Sequence, residues 1–249
     1  KINEAPKEYF DGRRFNSVEL KEISIAGWMH DIGKIVTPEF IMDKSTKLEA
    51  IIDRIDLVML RIEKLELLLN HLEAVLPPVE FQEFLHQEID QNLGSTDYQN
   101  YLKSISDFLE KMNMGEEFVA EEDLQKVERI SAIDFDYAGK HYFILSEDEK
   151  RNMMIKGRGT FTPDQYQIMK DHVSITWEML SKLSFPKKYK NVAFYASTHH
   201  ETLNGRGYPR GIGADQLPLQ SRIIAVADIF EALTAADRPY KKAKTLSEA

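Results

Sequence analysis

Histidines and carboxylates occur together in four short strings of the chain. Neutral imidazole and carboxylate groups together suit borderline divalent metals such as iron, manganese and zinc. Two such ions held ~3.5–4 Å apart clamp a phosphoryl oxygen and generate hydroxide near neutral pH, which suits phosphoester hydrolysis. The strings are His30-Asp31-Ile32-Gly33-Lys34, Lys170-Asp171-His172, Thr198-His199-His200-Glu201 and Ala227-Asp228.

Each string also has a purely structural interpretation. A lone histidine on an apolar helix, such as His172, is more often a satisfied structural residue than a ligand. Asp228 alone could be a cap or an ion-pair partner. Neighbouring residues on a helix point about 100° apart, so an adjacent pair such as His30-Asp31 favours one ligand on each of two ions, with the carboxylate bridging them. Four such strings on four separate predicted helices favour a metal centre over the structural interpretation.

The composition excludes several classes of protein. The 249-residue chain has no cysteine, which excludes disulfides, cysteine-ligated zinc, iron–sulfur clusters and thiol nucleophiles. The net charge of −9 argues against a general nucleic-acid binder. No apolar run approaches the ~18 residues of a membrane span. We therefore expect no nucleic-acid partner and no membrane contact by this chain.

The ends of the sequence bear on its location. The chain starts without Met and stops inside a predicted helix, so we expect a piece of a longer protein, and a targeting signal, a membrane anchor or a sensor domain could lie outside this sequence. We expect a cytoplasmic location, either alone or as the cytoplasmic part of a membrane-anchored protein.

Apolar periodicity and capping signals predict a helix for each string. Residues 201–218 form a glycine-containing loop between the last two helices. A short hairpin that turns at Gly139 is the one strand prediction, so the expected class is all-α. The helices are 18–33 with His30-Asp31, 162–183 with His172, 189–200 with His199-His200, and 219–236 with Asp228.

A different pattern marks the middle of the chain. Apolar residues recur every three or four positions from Leu48 to Leu76, which predicts a helix of nearly thirty residues with a heptad seam. Such a helix needs a partner within the chain or in a second copy, so a homodimer through Leu48–Leu76 is one expectation. The segment from Glu49 to Arg158 also carries the acidic excess, while the slightly basic flanking segments suit an anionic substrate.

Three of the strings extend into longer motifs that resemble a known family. His30-Asp31-Ile-Gly-Lys34-Ile-Val-Thr-Pro38 resembles the HD signature of the HD phosphohydrolase superfamily. His199-His200-Glu201, followed by Gly205-Arg-Gly207-Tyr208-Pro209, resembles the signature of its HD-GYP subfamily. Asp228-Ile-Phe-Glu231, with Asp237-Arg238-Pro239-Tyr240-Lys241, resembles the closing motif of that subfamily. The motifs cover roughly half of the chain.

The resemblance implies a metal-dependent cyclic di-GMP phosphodiesterase built as an all-α HD-domain helical bundle. Such an enzyme hydrolyses a bacterial cyclic dinucleotide to linear pGpG, GMP or both by a metal-activated hydroxide. The implied cofactors are two divalent ions, iron or manganese, and the implied catalytic residues are Asp31 and Lys34. The implied metal ligands are His30, Asp31, His172, His199, His200 and Asp228. The implied substrate contacts are Gly205, Gly207, Tyr208, Pro209, Arg238 and Lys241.

The chain departs from typical members of the subfamily in two places. His30 and His172 are 142 positions apart, whereas these motifs lie much closer together in typical members. Residues 49–158 therefore look like an acidic, mostly helical insertion, a long helix or helical hairpin, in a core of residues 1–48 and 159–249. A subgroup of the family has such insertions. In addition, no histidine precedes His30, so a third ion would need upstream ligands from the full-length protein.

An alternative function belongs to a different class. The chain could be a catalytically impaired signalling module that binds a cyclic dinucleotide or dimerises. The intact set of ligands argues against this alternative, but the missing upstream ligand leaves it open. For the insertion, a helical decoration that packs on the domain and binds nothing is favoured over dimerisation or coupling to a sensor domain.

Overall fold

The structure, a computed structural model, describes residue 3 and residues 13–115, 119–156 and 159–235. The chain divides into two compact units, one from the segments Lys1–Met42 and Tyr166–Ala249 and one from Asp43–Gln165. The sequence-based domain boundaries at 48/49 and 158/159 remain a prediction, and the boundaries of the compact units lie a few residues away from them. Nearly all regular structure in the described ranges is helical, which confirms the expected all-α class.

The elements follow one another in a simple order. In chain order they are α1 (Ser17–Met29), α2 (Glu39–Met42), α3 (Ile55–Val75), α4 (Pro78–Glu88), α5 (Tyr98–Asn113), α6 (Glu121–Ser131), β1 (Asp134–Tyr137), β2 (Lys140–Phe143), α7 (Glu147–Met153), α8 (Pro163–Ser181), α9 (Val192–Ala196) and α10 (Leu219–Thr234), with 3-10 helices at Ile32–Val36 and Lys187–Tyr189. None of these helices combines the length and apolar character that crossing a membrane requires.

The first unit contains α1, α2, α9, α10 and most of α8. Its first helix begins at a capping box, in which the Asn16 side chain accepts from the Glu19 amide and the Glu19 carboxylate accepts from the Asn16 amide. α1 packs against α9 and α10, and α10 also packs against α9. The core residues are Phe15, Ile23, Ala26, Leu180, Val192, Ala193, Tyr195, Ala196 and Ile224. This core fixes the helices from which the chemically active strings project.

The second unit contains α3 to α7 and the hairpin. α3 packs against α4, α5 and β2. The predicted hairpin is present, because Ala138 and Gly139 both adopt the positive φ angles that a tight two-residue turn requires. Buried core residues in this unit include Val58, Ile62, Leu65, Leu69, Leu72, Leu85, Leu102, Leu109, Val127 and Ile144.

The long helix differs from its prediction at its start. α3 begins at Ile55, because the preceding turn is held by side chains: the Glu49 carboxylate accepts from the amides of Ser45 and Thr46. From Ile55 onward the seam residues are buried or partly buried in the core of the same unit. This packing supplies the partner within the chain, and the sequence-based expectation of a dimer through this seam is not supported.

Candidate metal centre

All four strings meet in the first unit, and a different helix places each of them. The residues are His30 and Asp31 directly after α1, His172 within α8, His199 and His200 in the turn after α9, and Asp228 within α10. The helix predicted over 18–33 was therefore wrong at its end, because α1 stops at Met29 and a 3-10 helix follows from Ile32. Six residues that are far apart in sequence therefore converge at one place.

The helix expected at residues 189–200 is shorter than predicted. α9 ends at Ala196. The buried hydroxyl of Thr198 bonds to the Phe194 carbonyl at 2.9 Å and lies 2.7 Å from the Ser221 hydroxyl. Such side-chain bonds compete with continuation of the helix. The 100° separation expected of neighbouring helical residues therefore does not apply to His199-His200, whose ring centroids are 4.3 Å apart.

Gly33 and Thr176 hold the segment of Asp31 against α8. The Thr176 hydroxyl accepts from the Gly33 amide at 3.0 Å and donates to the His30 carbonyl at 3.0 Å. A Cβ atom on Gly33 would overlap the carbonyl of His172 and the amide of Thr176. Only glycine permits this approach, which brings Asp31 to the side chain of His172.

Backbone carbonyls fix the orientation of three histidine rings. In each case Nδ1 lies within hydrogen-bond distance of the carbonyl three residues earlier. A carbonyl only accepts, so each Nδ1 carries a proton, which leaves each Nε2 as the nitrogen that faces the centre. The pairs are His30 Nδ1 with Gly27 O at 2.7 Å, His172 Nδ1 with Met169 O at 2.5 Å, and His199 Nδ1 with Ala196 O at 2.7 Å.

Asp31 lies in the middle of the cluster. Its Oδ1 is 3.3 Å from Nε2 of His172 and 3.8 Å from Nε2 of His199. Its Oδ2 is 3.3 Å from Nε2 of His30 and 2.6 Å from the ammonium of Lys34. The two carboxylate oxygens thus face different histidines, which is the arrangement of a bridging ligand.

The donor atoms fit divalent metal ions. Four of them, Nε2 of His30, His172 and His199 and Oδ1 of Asp31, are buried without a hydrogen-bond partner in the described part of the chain. Such unpaired atoms cost free energy, and a cation among them would remove the cost at all four. Two overlapping groups have ligand atoms within 4.8 Å of one another: His172, His199 and His200, and His30, His199 and Asp228.

The protonation states of the clustered side chains also favour the binding of metal cations. Burial lowers the pKa of His199 to about 3, and burial followed by the charge of His172 lowers the pKa of His200 to about 4, so both rings are neutral ligands at neutral pH. Contacts with Asp228 and then Asp31 raise the pKa of His30 to about 10, so a metal ion bound at its Nε2 would replace a proton there. Burial raises the pKa of Asp31, but contacts with His172, His30 and Lys34 outweigh it and hold that pKa well below its usual range.

Glu201 and Arg210 anchor the loop that follows His200. The buried Glu201 carboxylate accepts from the backbone amides of Arg210 at 2.7 Å and Ile212 at 3.1 Å. The Arg210 guanidinium lies over the ring of Trp177 in α8, 4.3 Å from its centroid, and 5.4 Å from that of Phe194. These contacts hold the loop against the bundle.

The predicted substrate residues fall partly in this loop. The Tyr208 ring stacks on the His200 ring with 4.8 Å between centroids, so the loop touches the metal centre. Gly207 has no room for a Cβ atom against the backbone of His200 and Glu201, and Gly205 has a φ of +71°. Pro209 follows Tyr208 through a cis peptide bond. The remaining two predicted contacts, Arg238 and Lys241, lie outside the described residues.

Sequence reasoning assigned no role to Thr176, Glu201 or Arg210. Thr176 lies one helical turn after His172, and this four-residue spacing on one helix face is the signal that could have indicated its role. Glu201 and Arg210 offered no comparable spacing, because they act on loop backbone that only the folded chain brings together.

A family comparison matches the C-terminal part of the chain. The family described as "HD domain" matches residues 150–249, which include His172, His199, His200 and Asp228. Residues 150–249 therefore resemble an HD domain, over less than half of the chain. His30 and Asp31 precede the matched range along the chain and join the other four residues in space.

The chain is similar to curated bacterial proteins. It is 43% identical over 91 residues to the cyclic di-GMP phosphodiesterase of Thermotoga maritima, and the aligned residues make up 36% of this chain and 24% of that protein. It is 44% identical over 92 residues to a cyclic di-GMP phosphodiesterase response regulator of Xanthomonas campestris, and the aligned residues make up 36% of this chain and 24% of that protein. It is 39% identical over 98 residues to the 3'3'-cGAMP-specific phosphodiesterase 3 of Vibrio cholerae, and the aligned residues make up 39% of this chain and 20% of that protein.

These matches span about a quarter or less of the length of each relative. The resemblance of the HD domain to the HD-GYP phosphodiesterases is confirmed. Membership of a subgroup with a long insertion stays a prediction.

Proposed function

We propose that this HD domain hydrolyses a bacterial cyclic dinucleotide in a metal-dependent reaction. Cyclic di-GMP is the first candidate substrate, with linear pGpG, GMP or both as products. The observation that carries the proposal is the set of buried, unpaired histidine nitrogens around Asp31. The names of two relatives support the choice of cyclic di-GMP as substrate.

Two groups of side chains would hold the metal ions. His172 and His200 would form one side and His30 and Asp228 the other, with His199 near both and Asp31 between them. Iron or manganese suits this mixture of imidazole and carboxylate. When bound, such a pair of ions supplies Lewis-acid activation of the phosphate and of water.

The chain's own residues direct the substrate to one side of the centre. His172 and His199 are fully buried and close the inner side. The side chains of Asp31, Lys34 and Asp228 are 32, 36 and 23% exposed, so the phosphate approaches from their side. The Lys34 ammonium, held 2.6 Å from Asp31, is a preorganised cation that would stabilise the negative charge developing on the phosphate.

Metal content and turnover together test this proposal. Protein purified without a chelator or an affinity-column metal should contain about two iron or manganese ions per chain and should hydrolyse cyclic di-GMP under reducing conditions. The Asp31→Ala variant should lose both properties while its far-ultraviolet circular dichroism stays unchanged. Undiminished hydrolysis by that variant would contradict the proposal. Less than one ion per chain after reconstitution would favour the impaired binding or signalling module instead.

One observation favours a second substrate. The 39% identity to a protein named 3'3'-cGAMP-specific phosphodiesterase makes 3'3'-cGAMP a second candidate. Assaying the metal-loaded protein with each cyclic dinucleotide separately, and then with both together, would rank the two substrates by kcat/KM.

A further inference from the structure

Lys170 of α8 is a half-buried cation beside the metal centre. Its ammonium lies 5.1 Å from the ring centroid of Tyr166 and 6.0 Å from that of Tyr208. No acidic side chain in the described ranges forms an ion pair with it. Two aromatic rings therefore flank a positive charge that has no carboxylate partner in the described part of the chain.

Tyr208 connects this lysine to the centre. The Tyr208 ring stacks on His200, one of the clustered histidines, at 4.8 Å and 20°. Lys170 is thus one aromatic ring away from a proposed metal ligand. Tyr166 and Lys170, four residues apart, lie on the same face of α8.

The chemistry of this group suits an anionic, aromatic ligand. Partly burying an ammonium without a counter-charge costs free energy, and an anionic ligand would offset that cost. The Tyr166 ring is 52% exposed, so it has a free surface on which a nucleobase can stack. A phosphate and a base that are linked to each other match this pair of side chains.

We propose that Lys170 and Tyr166 form a subsite for the half of a cyclic dinucleotide that is not being hydrolysed. A cyclic dinucleotide contains two phosphates and two bases, and only one phosphate reacts at the metal centre at a time. Lys170 contacts the second phosphate, and the Tyr166 ring stacks on a base. This subsite rests on the proposed function, and it explains how the centre distinguishes a cyclic dinucleotide from a simple phosphodiester.

The test compares two ligands and four variants. Lys170→Met removes the charge and keeps the length of the side chain. Tyr166→Leu removes the aromatic ring, whereas Tyr166→Phe keeps the ring and removes only its hydroxyl. Lys182→Met, which removes an exposed lysine just beyond α8, is the matched control. Binding of cyclic di-GMP is measured by calorimetry on metal-free protein. The kcat and KM values are then measured on metal-loaded protein with cyclic di-GMP and with bis(p-nitrophenyl) phosphate, which is too small to reach both places.

The expected result separates the two substrates. Lys170→Met should raise Kd and KM for cyclic di-GMP about tenfold, as loss of a partly desolvated charge-assisted contact does, with kcat changed less than about twofold. Tyr166→Leu should raise both about fivefold or more through lost stacking, while Tyr166→Phe and Lys182→Met should behave as the parent protein. Hydrolysis of bis(p-nitrophenyl) phosphate and metal content should stay unchanged in all four variants.

Other outcomes overturn the subsite or the proposed function separately. If Lys170→Met leaves Kd and KM unchanged, or lowers hydrolysis of both substrates equally, the subsite is wrong and the proposed function stands. If the parent protein binds cyclic di-GMP through Lys170 but hydrolyses neither substrate with metal bound, the subsite stands and the proposed function is wrong. If the metal-loaded parent protein neither lowers its KM for cyclic di-GMP through Lys170 nor hydrolyses cyclic di-GMP at all, both are wrong.

Discussion

Gly33 shows how strongly the centre depends on the backbone that carries its ligands. It lies between Asp31, which faces three histidines, and α8, which carries one of them. The Gly33 amide is bonded to the Thr176 hydroxyl, and no Cβ atom fits at this point. The geometry of Asp31 therefore depends on a residue that has no chemistry of its own.

A single methyl group should disturb this approach. Gly33→Ala should lower the free energy of unfolding by about 1–3 kcal/mol through overpacking and should reduce the metal content, because Asp31 moves away from His172. Gly27→Ala is the control: a Cβ atom there meets nothing within 4 Å in the middle of α1, and alanine should stabilise that helix by about 0.5–1 kcal/mol. Urea unfolding and elemental analysis measure both effects. Full metal content in the Gly33 variant would contradict this account.

At the scale of residues, the metal-ligand residues were predictable from the sequence, whereas the residues that position them were not. Imidazole and carboxylate groups show their chemistry in sequence, and the structure brings all six proposed ligands together. The part played by Thr176 depends on a contact with Gly33 that spans 143 positions. No local pattern contains that information, because the contact exists only after α1 and α8 have packed.

At the scale of elements, the second unit contains a buried ion pair between two helices. Arg61 of α3 donates to both carboxylate oxygens of Glu149 in α7, at 2.6 and 3.1 Å. The Glu149 side chain is 2% exposed, and it also accepts from the Ser146 amide. The pair therefore joins the long helix to a short one.

This pair should make stability depend on pH in the acid range. Burial raises the pKa of Glu149, but the bonds from Arg61 outweigh it and hold the pKa below its ordinary value of 4.5. The folded chain thus releases this proton more readily than the unfolded chain does. The contribution of the pair is present above about pH 4.5 and is lost as the pH falls through the lower, folded-state pKa.

Glu149→Gln should remove that dependence. The variant should be about 2–4 kcal/mol less stable at pH 7, because Arg61 is left partly buried without its partner, and its loss of stability on acidification should be smaller than that of the parent. Glu147→Gln, an exposed position in the same helical turn, should change neither value by more than about 0.5 kcal/mol. Urea unfolding at several pH values between 3 and 7 would check this, and parallel pH curves for all three proteins would contradict it.

Elements with a strong apolar period were the most predictable. The seam from Ile55 to Leu76 is helical and buried, because its spacing matches the period of a helix. The errors at the start of α3 and at the end of α9 occur where side chains bond to nearby backbone. Glu49 holds a turn before α3, and Thr198 bonds to the carbonyl of Phe194 after α9. Competition of this kind is decided by local geometry and leaves no period in the sequence.

At the scale of the whole molecule, the two units have separate sets of buried side chains. One core gathers residues of α1, α8, α9 and α10, the helices that place the six clustered residues. The other gathers residues of α3 to α7 and the hairpin. Matched substitutions in the two cores should therefore differ in their effect on the metal centre.

Leu180→Ala and Leu109→Ala make that comparison, because both leucines are fully buried, one in each core. Each substitution should cost about 2–5 kcal/mol of unfolding free energy through lost burial and a residual cavity. Leu180→Ala should also lower the metal retained after dialysis, since α8 carries His172 and Thr176, whereas Leu109→Ala should retain as much metal as the parent. Calorimetric unfolding and elemental analysis on the same samples give both quantities. Equal loss of metal from the two variants would mean that the centre depends on the fold of the second unit as well, and residues 43–165 would then be part of the machinery that assembles it.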